Sequence, residues 1–255
     1  MRQPPPLAAA GAPPQTRIEL LGVPVDVLGG ERAAELCRER LEDESSPPLQ
    51  VVTLNPEMVM AANRTPELAA AIRGAGLVLA DGWGIVWAAR RMGRPLPERI
   101  PGVDFLVELC RDCARLDRPV FLLGSAPGVG ELAFQRLLQL APGLRLAGCL
   151  SPGREEAERA APLVRSSGAA LLAVALGVPA QDLWLHRHLE ESGCRVGIGV
   201  GGSLDYLSGR VRRAPVPLRR AGLEWAYRLL RQPWRLPRMA RGSRFFWRVW
   251  REARG

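Results

Sequence analysis

None of the chain's 35 basic residues is lysine, histidine occurs twice, cysteine five times, and no apolar run reaches the length of a bilayer. Each shortage closes off a class of function. A spanning helix needs about 18 or more largely apolar residues in succession, so no helical membrane span is expected. Residues 1–16 contain five prolines and one arginine but no apolar run of the kind a secretory signal requires. They are read as a disordered leader, and the protein is expected in the cytoplasm. Five cysteines in 255 residues make no disulfide framework. Cys110 and Cys113 fall within a helical stretch with no second pair at zinc-ligand spacing, so both are expected to pack. His186 and His188, two apart on a predicted helix, point to different faces and have no acidic ligand set beside them. A metal centre and a Ser-His-Asp hydrolase are both unsupported. The absence of lysine points to a GC-rich genome rather than to a mechanism, and it removes any Gly-Lys-Ser/Thr phosphate loop.

What is present is arginine, concentrated at one end. Residues 210–255 hold 14 arginines against Glu224 and Glu252 alone, a net of +12; the whole chain is +9, which leaves residues 1–209 at −3. A near-neutral body of residues 17–209 thus carries a cationic appendage of residues 210–255. Within the appendage Trp225, Tyr227, Trp234, Phe245, Phe246, Trp247 and Trp250 are interleaved with arginine. Basic and aromatic residues together serve nucleic-acid binding or docking on an anionic membrane. A nucleic-acid-binding protein would be basic in its body as well, and a solvated helix packed on the body accounts for part of Leu223–Leu230.

Short apolar runs alternate with amphipathic stretches along the body, the signature of βαβ units and a mostly parallel, doubly wound (Rossmann-like) α/β sheet. Strands are expected at Ile18–Leu21, Val23–Val27, Leu49–Leu54, Leu77–Ala80, Pro119–Leu123, Leu144–Leu150, Ala169–Leu176 and Arg195–Val200. Helices are expected near Glu31–Glu42, from Asn55-Pro56-Glu57, Ile85–Met92, Asp104–Leu116, from Gly130 to Leu140, Glu155–Arg165 and Pro179–Glu191. Ligands in such sheets sit at the carboxyl ends of the strands. Thr53 and Asn55 close one strand there, Asp81-Gly82 the next, and Gln181-Asp182 follow a third. By spacing alone Asp81 reads first as a helix N-cap, with general base the sharper alternative; Thr53 and Asn55 read as strand-end and cap residues. The turn from Gly124 to Gly130 is either a tight connection or a cradle for a diphosphate. No Gly-x-Gly-x-x-Gly turn follows the first strand, which argues against a nucleotide-dependent oxidoreductase.

Taken together, Thr53-Leu-Asn55-Pro-Glu57-Met58, Ala80-Asp81-Gly82-Trp-Gly84 and Glu98-Arg99-Ile-Pro-Gly-Val-Asp104 resemble the WecG/TagA/CpsF glycosyltransferases. The likeness runs on through Phe121-Leu-Leu-Gly124, Leu176-Gly-Val-Pro-Ala-Gln181-Asp182 and Gly199-Val-Gly-Gly-Ser-Leu-Asp205. It ends in Gly209-Arg-Val-Arg-Arg213-Ala-Pro215, Gly222-Leu-Glu224-Trp-Ala-Tyr-Arg228 and Pro233-Trp-Arg235-Leu-Pro-Arg238. The resemblance implies an inverting transferase that moves an N-acetylated sugar from a UDP-sugar donor to a polyprenyl-diphosphate-linked acceptor. Asp81 would be its catalytic base. Thr53 and Asn55 would lie against the donor sugar, Arg99 and Gln181 would also line the site, and Arg213, Arg228, Arg235 and Arg238 would be suited to diphosphate contacts. No metal or other cofactor is implied, and the setting is the inner face of the cell membrane, with a homo-oligomer compatible. Two departures stand out. Asp182 replaces the family's usual glutamate, and Val216-Pro217 replaces an aromatic residue after Arg213-Ala-Pro215.

Overall fold

In the computed structural model, residues 16–220, 222–231 and 236–253 are described, apart from the side chains of residues 220, 228 and 236–242. The chain opens with a hairpin of β1 (Arg17–Leu20) and β2 (Val23–Asp26). Its two-residue turn, Leu21-Gly22, has φ of +52° and +77°, the left-handed pair that matches the twist of a tight hairpin. The hairpin is clamped to the body by Asp26, whose carboxylate accepts from Arg17 Nε at 2.7 Å and from the backbone N–H of Val78 at 2.6 Å.

There follow α1 (Gly30–Glu42), β3 (Leu49–Leu54), α2 (Pro56–Ala62), α3 (Pro66–Gly74), β4 (Leu77–Ala80), α4 (Trp83–Arg91) and α5 (Gly102–Arg115). Next come β5 (Val120–Gly124), α6 (Val129–Leu140), β6 (Leu146–Leu150), α7 (Arg154–Glu158), α8 (Ala161–Ser166), β7 (Leu171–Ala175), α9 (Ala180–His188), β8 (Val196–Gly199) and α10 (Ser203–Leu207). The described residues end with α11 (Val216–Arg220), α12 (Glu224–Arg231) and α13 (Leu236–Glu252). Six strands form one all-parallel sheet in the order β4-β3-β8-β7-β5-β6.

Alternation along the strands fills two layers. Val51, Leu79, Leu122, Ala173 and Ile198 face α1, α5, α6 and α10. On the opposite face Val52 and Val78 meet the hairpin, α2, α3, α4 and α13, while Phe121, Leu172 and Val174 meet α8 and α9. Strands buried on both faces read as continuous apolar runs, which is why β3 and β4 have the bounds that their composition predicts. Cys110 and Cys113 are buried on α5, and all five cysteines are free thiols.

Several elements depart from expectation, the short α10 among them. The helix expected over Glu155–Arg165 is two helices, because Pro162 opens α8 and has no N–H to continue α7. Helix α3 was not anticipated, although Thr65-Pro66-Glu67 repeats the start signal of Asn55-Pro56-Glu57. The tail, in turn, is tied to the body at α13, where Phe245 and Val249 are fully buried in the layer formed with α2 and α4. Among the described residues, no helix is long and apolar enough to cross a membrane.

Candidate active site

The six strands present their carboxyl ends to one edge of the sheet, and the candidate residues gather there. Asp81 follows β4 directly; its N–H donates to Leu54 O at 2.9 Å, which keeps the ends of β3 and β4 together. The N–H of Ile100 donates to Ala80 O at 2.8 Å, drawing the segment that carries Arg99 against the same strand end. That bond sets the first turn of α5 beside Asp81, with the N–H of Gly102 close enough to ease the charge on its carboxylate. The N-cap of α4 is Gly82, so Asp81 is not spent as a helix cap. Its side chain is half-buried at the floor of the edge, and burial pushes its carboxyl up to about 7. The Gly102 N–H, Arg99 and Arg213 oppose that rise, and Glu224 adds to it.

Around this carboxyl runs a network of alternating charge. Glu224, at the start of α12, accepts from Arg99 Nη1 and from Arg213 Nε, both at 3.3 Å. Arg213 also closes a two-pronged pair on Asp104, with Nη2 at 2.7 Å from Oδ2. The guanidinium of Arg99 lies 5.8 Å from the centre of the Trp83 ring. Sequence reasoning gave no role to Glu224 or Asp104. The available signal was Glu224's position as one of two acids in a stretch of 14 arginines. Arg213, expected against a diphosphate, is held by two carboxylates in this structure.

The donor-side candidates are more deeply set. Thr53 Oγ1 donates to Gly199 O at 2.9 Å, and its side chain packs on Gly102, where an added Cβ would come within 3.1 Å of the Thr53 methyl. Thr53 therefore fixes β8 and α5 relative to β3. Asn55 caps α2, its Oδ1 accepting from Met58 N at 3.1 Å; its Nδ2 has no protein partner among the described residues and is free for a ligand. Gln181 is buried, with Oε1 accepting from Gly201 N at 2.9 Å. A Cβ on Gly199 would lie 2.7 Å from Gln181 Nε2 and 2.9 Å from Asp182 Oδ1, so glycine is what lets α9 approach β8 so closely. Asp182 is fully buried with neither oxygen hydrogen-bonded among the described residues, and burial pushes it up to about 7. The Gln181 amide eases that charge without reaching hydrogen-bond geometry.

Gly124 stands apart, at the end of β5 two strands beyond β8. Its φ is +104°, and a Cβ there would fall 2.6 Å from the backbone carbon of Ala175. Close backbone approach thus accounts for this glycine without a ligand. Asp81, Arg99 and Arg213 are brought together, with Thr53 and Gln181 linked to them through Gly102 and Gly199. Arg235 and the side chains of Arg228 and Arg238 lie outside the described residues. Among the described residues, no group of three or more His, Cys, Asp or Glu is placed to hold a metal ion.

Comparison with known proteins adds an independent line. The family model described as glycosyl transferase WecG/TagA/CpsF family matches residues 18–255. A relative from Bacillus spizizenii, named N-acetylglucosaminyldiphosphoundecaprenol N-acetyl-beta-D-mannosaminyltransferase, is 34% identical over 189 residues, 74% of either chain. Proteins of the same name from Staphylococcus aureus are 32% identical over 217 residues (strain MRSA252; 84% of each chain) and 30% identical over 233 residues (strain MW2; 91% of this chain and 92% of the relative).

Proposed function

The chain belongs to the WecG/TagA/CpsF glycosyltransferase family, and from that premise we propose that it transfers N-acetylmannosamine, or its uronic acid, from a UDP-sugar to GlcNAc carried on a polyprenyl diphosphate. The observation that carries this reading is the Asp81 carboxyl, poised near neutrality at a strand end between arginines. The relatives' names specify the acceptor and favour N-acetylmannosamine over the uronic acid.

In the proposed step an acceptor sugar hydroxyl attacks the anomeric carbon of the donor. The oxygen–carbon bond forms as the bond from that carbon to the diphosphate breaks, and UDP departs with the bonding pair. Asp81 takes the hydroxyl proton. Attack and departure on opposite faces invert the configuration. A base with a pKa near the working pH balances two needs, being unprotonated before the step and accepting the proton within it. The departing diphosphate needs positive charge close by, and Arg99 and Arg213 can supply it, because the Glu224 bridge holds both guanidiniums in place. No metal is required by this scheme. Asn55 Nδ2 is assigned to the donor sugar, with Thr53 and Gln181 setting the shape of its pocket.

Exposed Trp225, Trp247 and Trp250 on a tail rich in arginine support work at the inner face of the cell membrane, since tryptophan favours the interface and arginine favours anionic lipid. The experiment is UDP release from purified protein with a panel of UDP-sugars and a short-chain polyprenyl-diphosphate-GlcNAc acceptor, in EDTA. Acceptor-dependent release from UDP-N-acetylmannosamine is expected. Release from no donor in EDTA, restored by a divalent cation, would refute the metal-free scheme, and silence with metal added would refute the donor assignment.

A further inference from the structure

Beside the charged network lies a groove of about 870 Å³ that shares only Arg99 with the steps above. One wall is α4, with Trp83, Val86 and Arg90; the floor is the segment of residues 95–101; the other wall is α11, with Val216 and Arg219. Its chemistry is divided. Val86, Leu96 and Val216 give it apolar sides, and Pro95, Pro97 and Pro101 remove backbone donors that a sugar or a base would need. Its positive charge comes from Arg90, Arg99 and Arg219. The acid on its floor, Glu98, is engaged by the N–H of Gly30 at 2.7 Å. Arg219 Nε is buried and lacks a hydrogen-bond partner among the described residues, while its backbone carbonyl accepts from Trp83 Nε1 at 3.2 Å. A buried guanidinium N–H without a partner is costly unless a ligand completes it.

We propose that this groove binds the prenyl diphosphate portion of the acceptor, with the diphosphate at Arg219 and the first isoprene units along Val86, Leu96 and Val216. The proposal rests on the glycosyltransferase reading and adds the place where the lipid enters. Charge complementarity selects the occupant: an anion joined to hydrocarbon matches a channel in which guanidiniums adjoin aliphatic and proline side chains. Position agrees with this. Arg99 lines both the groove and the surroundings of Asp81, so a diphosphate held at Arg219 leaves its GlcNAc near the base. Helix α4 also joins the groove to an exposed aromatic band, since Trp87, one residue beyond Val86, packs at 5.2 Å on Phe246 of α13. A membrane met by that band would lie at the mouth of the groove.

Calorimetric titration of the full-length protein tests this without catalysis, using a C15 prenyl diphosphate below its aggregation limit and inorganic diphosphate as separate probes. The prenyl compound is expected to bind at least about tenfold more tightly, as burial of several methylene groups requires. Val216→Asp, at an exposed position, is expected to abolish that preference while keeping inorganic diphosphate binding. Arg219→Gln is expected to weaken both probes. Equal affinity of the wild-type protein for the two probes, or a preference unchanged in Val216→Asp, would overturn the proposal. Because these titrations need no donor, they separate failure of the groove from failure of the transferase reading, which the UDP-release assay judges alone.

Discussion

Asp81→Asn is expected to lower glycosyl transfer by about 10²–10⁴-fold, the usual contribution of a positioned general base, while leaving the fold intact. The substitution keeps the size of the side chain and its half-buried place, and it removes only the ability to take a proton. The wild-type rate should rise with pH through about 7, where the Asp81 carboxyl ionises, and level off above it. The same group links pH to stability. Its folded pKa stands above the unfolded value of about 3.9, so the folded chain holds this proton more tightly than the unfolded chain. The stability this contributes is complete below about pH 4 and is lost as pH rises to about 7. Asp81→Asn escapes the loss. Discounted for partial solvent access, it should be more stable than the wild-type protein by about 1–3 kcal/mol at pH 8 and by little at pH 4. Thermal melts at the two pH values read this directly. Asp182, also raised to about 7, is present in both proteins and cancels in the comparison. Near-normal turnover by Asp81→Asn would refute its role as base.

Phe245→Ala carries the next largest effect. Phe245 is among the largest fully buried side chains of the molecule and sits with Val249 in the layer shared with α2 and α4. Truncating a buried phenylalanine costs about 3–5 kcal/mol, from lost apolar burial and the cavity left behind. Here the loss falls mainly on one helix. Residues 236–252 should detach before the sheet does, and their amides should exchange faster with solvent while β3, β7 and β8 keep their protection. Trp87 should become more exposed, since its ring partner Phe246 leaves with α13. Hydrogen exchange read by mass spectrometry separates this from global unfolding. Unchanged exchange in α13 would show that its docking does not depend on Phe245.

These two residues also mark how far sequence reasoning reaches. The sheet was legible because buried parallel strands announce themselves as apolar runs, and β3 and β4 fall where composition places them. The strand-end position of Asp81 was legible too. Its freedom from capping was not, because local spacing cannot tell whether Asp81 or Gly82 caps α4. The charged network was hidden for a different reason. Arg99, Asp104, Arg213 and Glu224 are joined across more than a hundred residues of chain, and only the folded arrangement pairs them. The tail shows the same limit: its interleaved arginines and aromatics point to docking on an anionic membrane, and packing on the body was expected only for part of Leu223–Leu230. Phe245 and Val249, one helical turn apart, are the buried apolar residues that pack α13 on the body. Gly124 was ambiguous between cradle and turn, and its φ of +104° against the Ala175 backbone gives a packing reason for it.

The central claim is a single displacement with Asp81 as base. The measurement that tests it most directly is proton NMR of the disaccharide-lipid product, comparing the configuration at the transferred sugar's anomeric carbon with that of the UDP-sugar supplied. Inversion is the result expected from one in-line attack with proton transfer to Asp81. Retention would require an intermediate that the single step does not contain, and would contradict it.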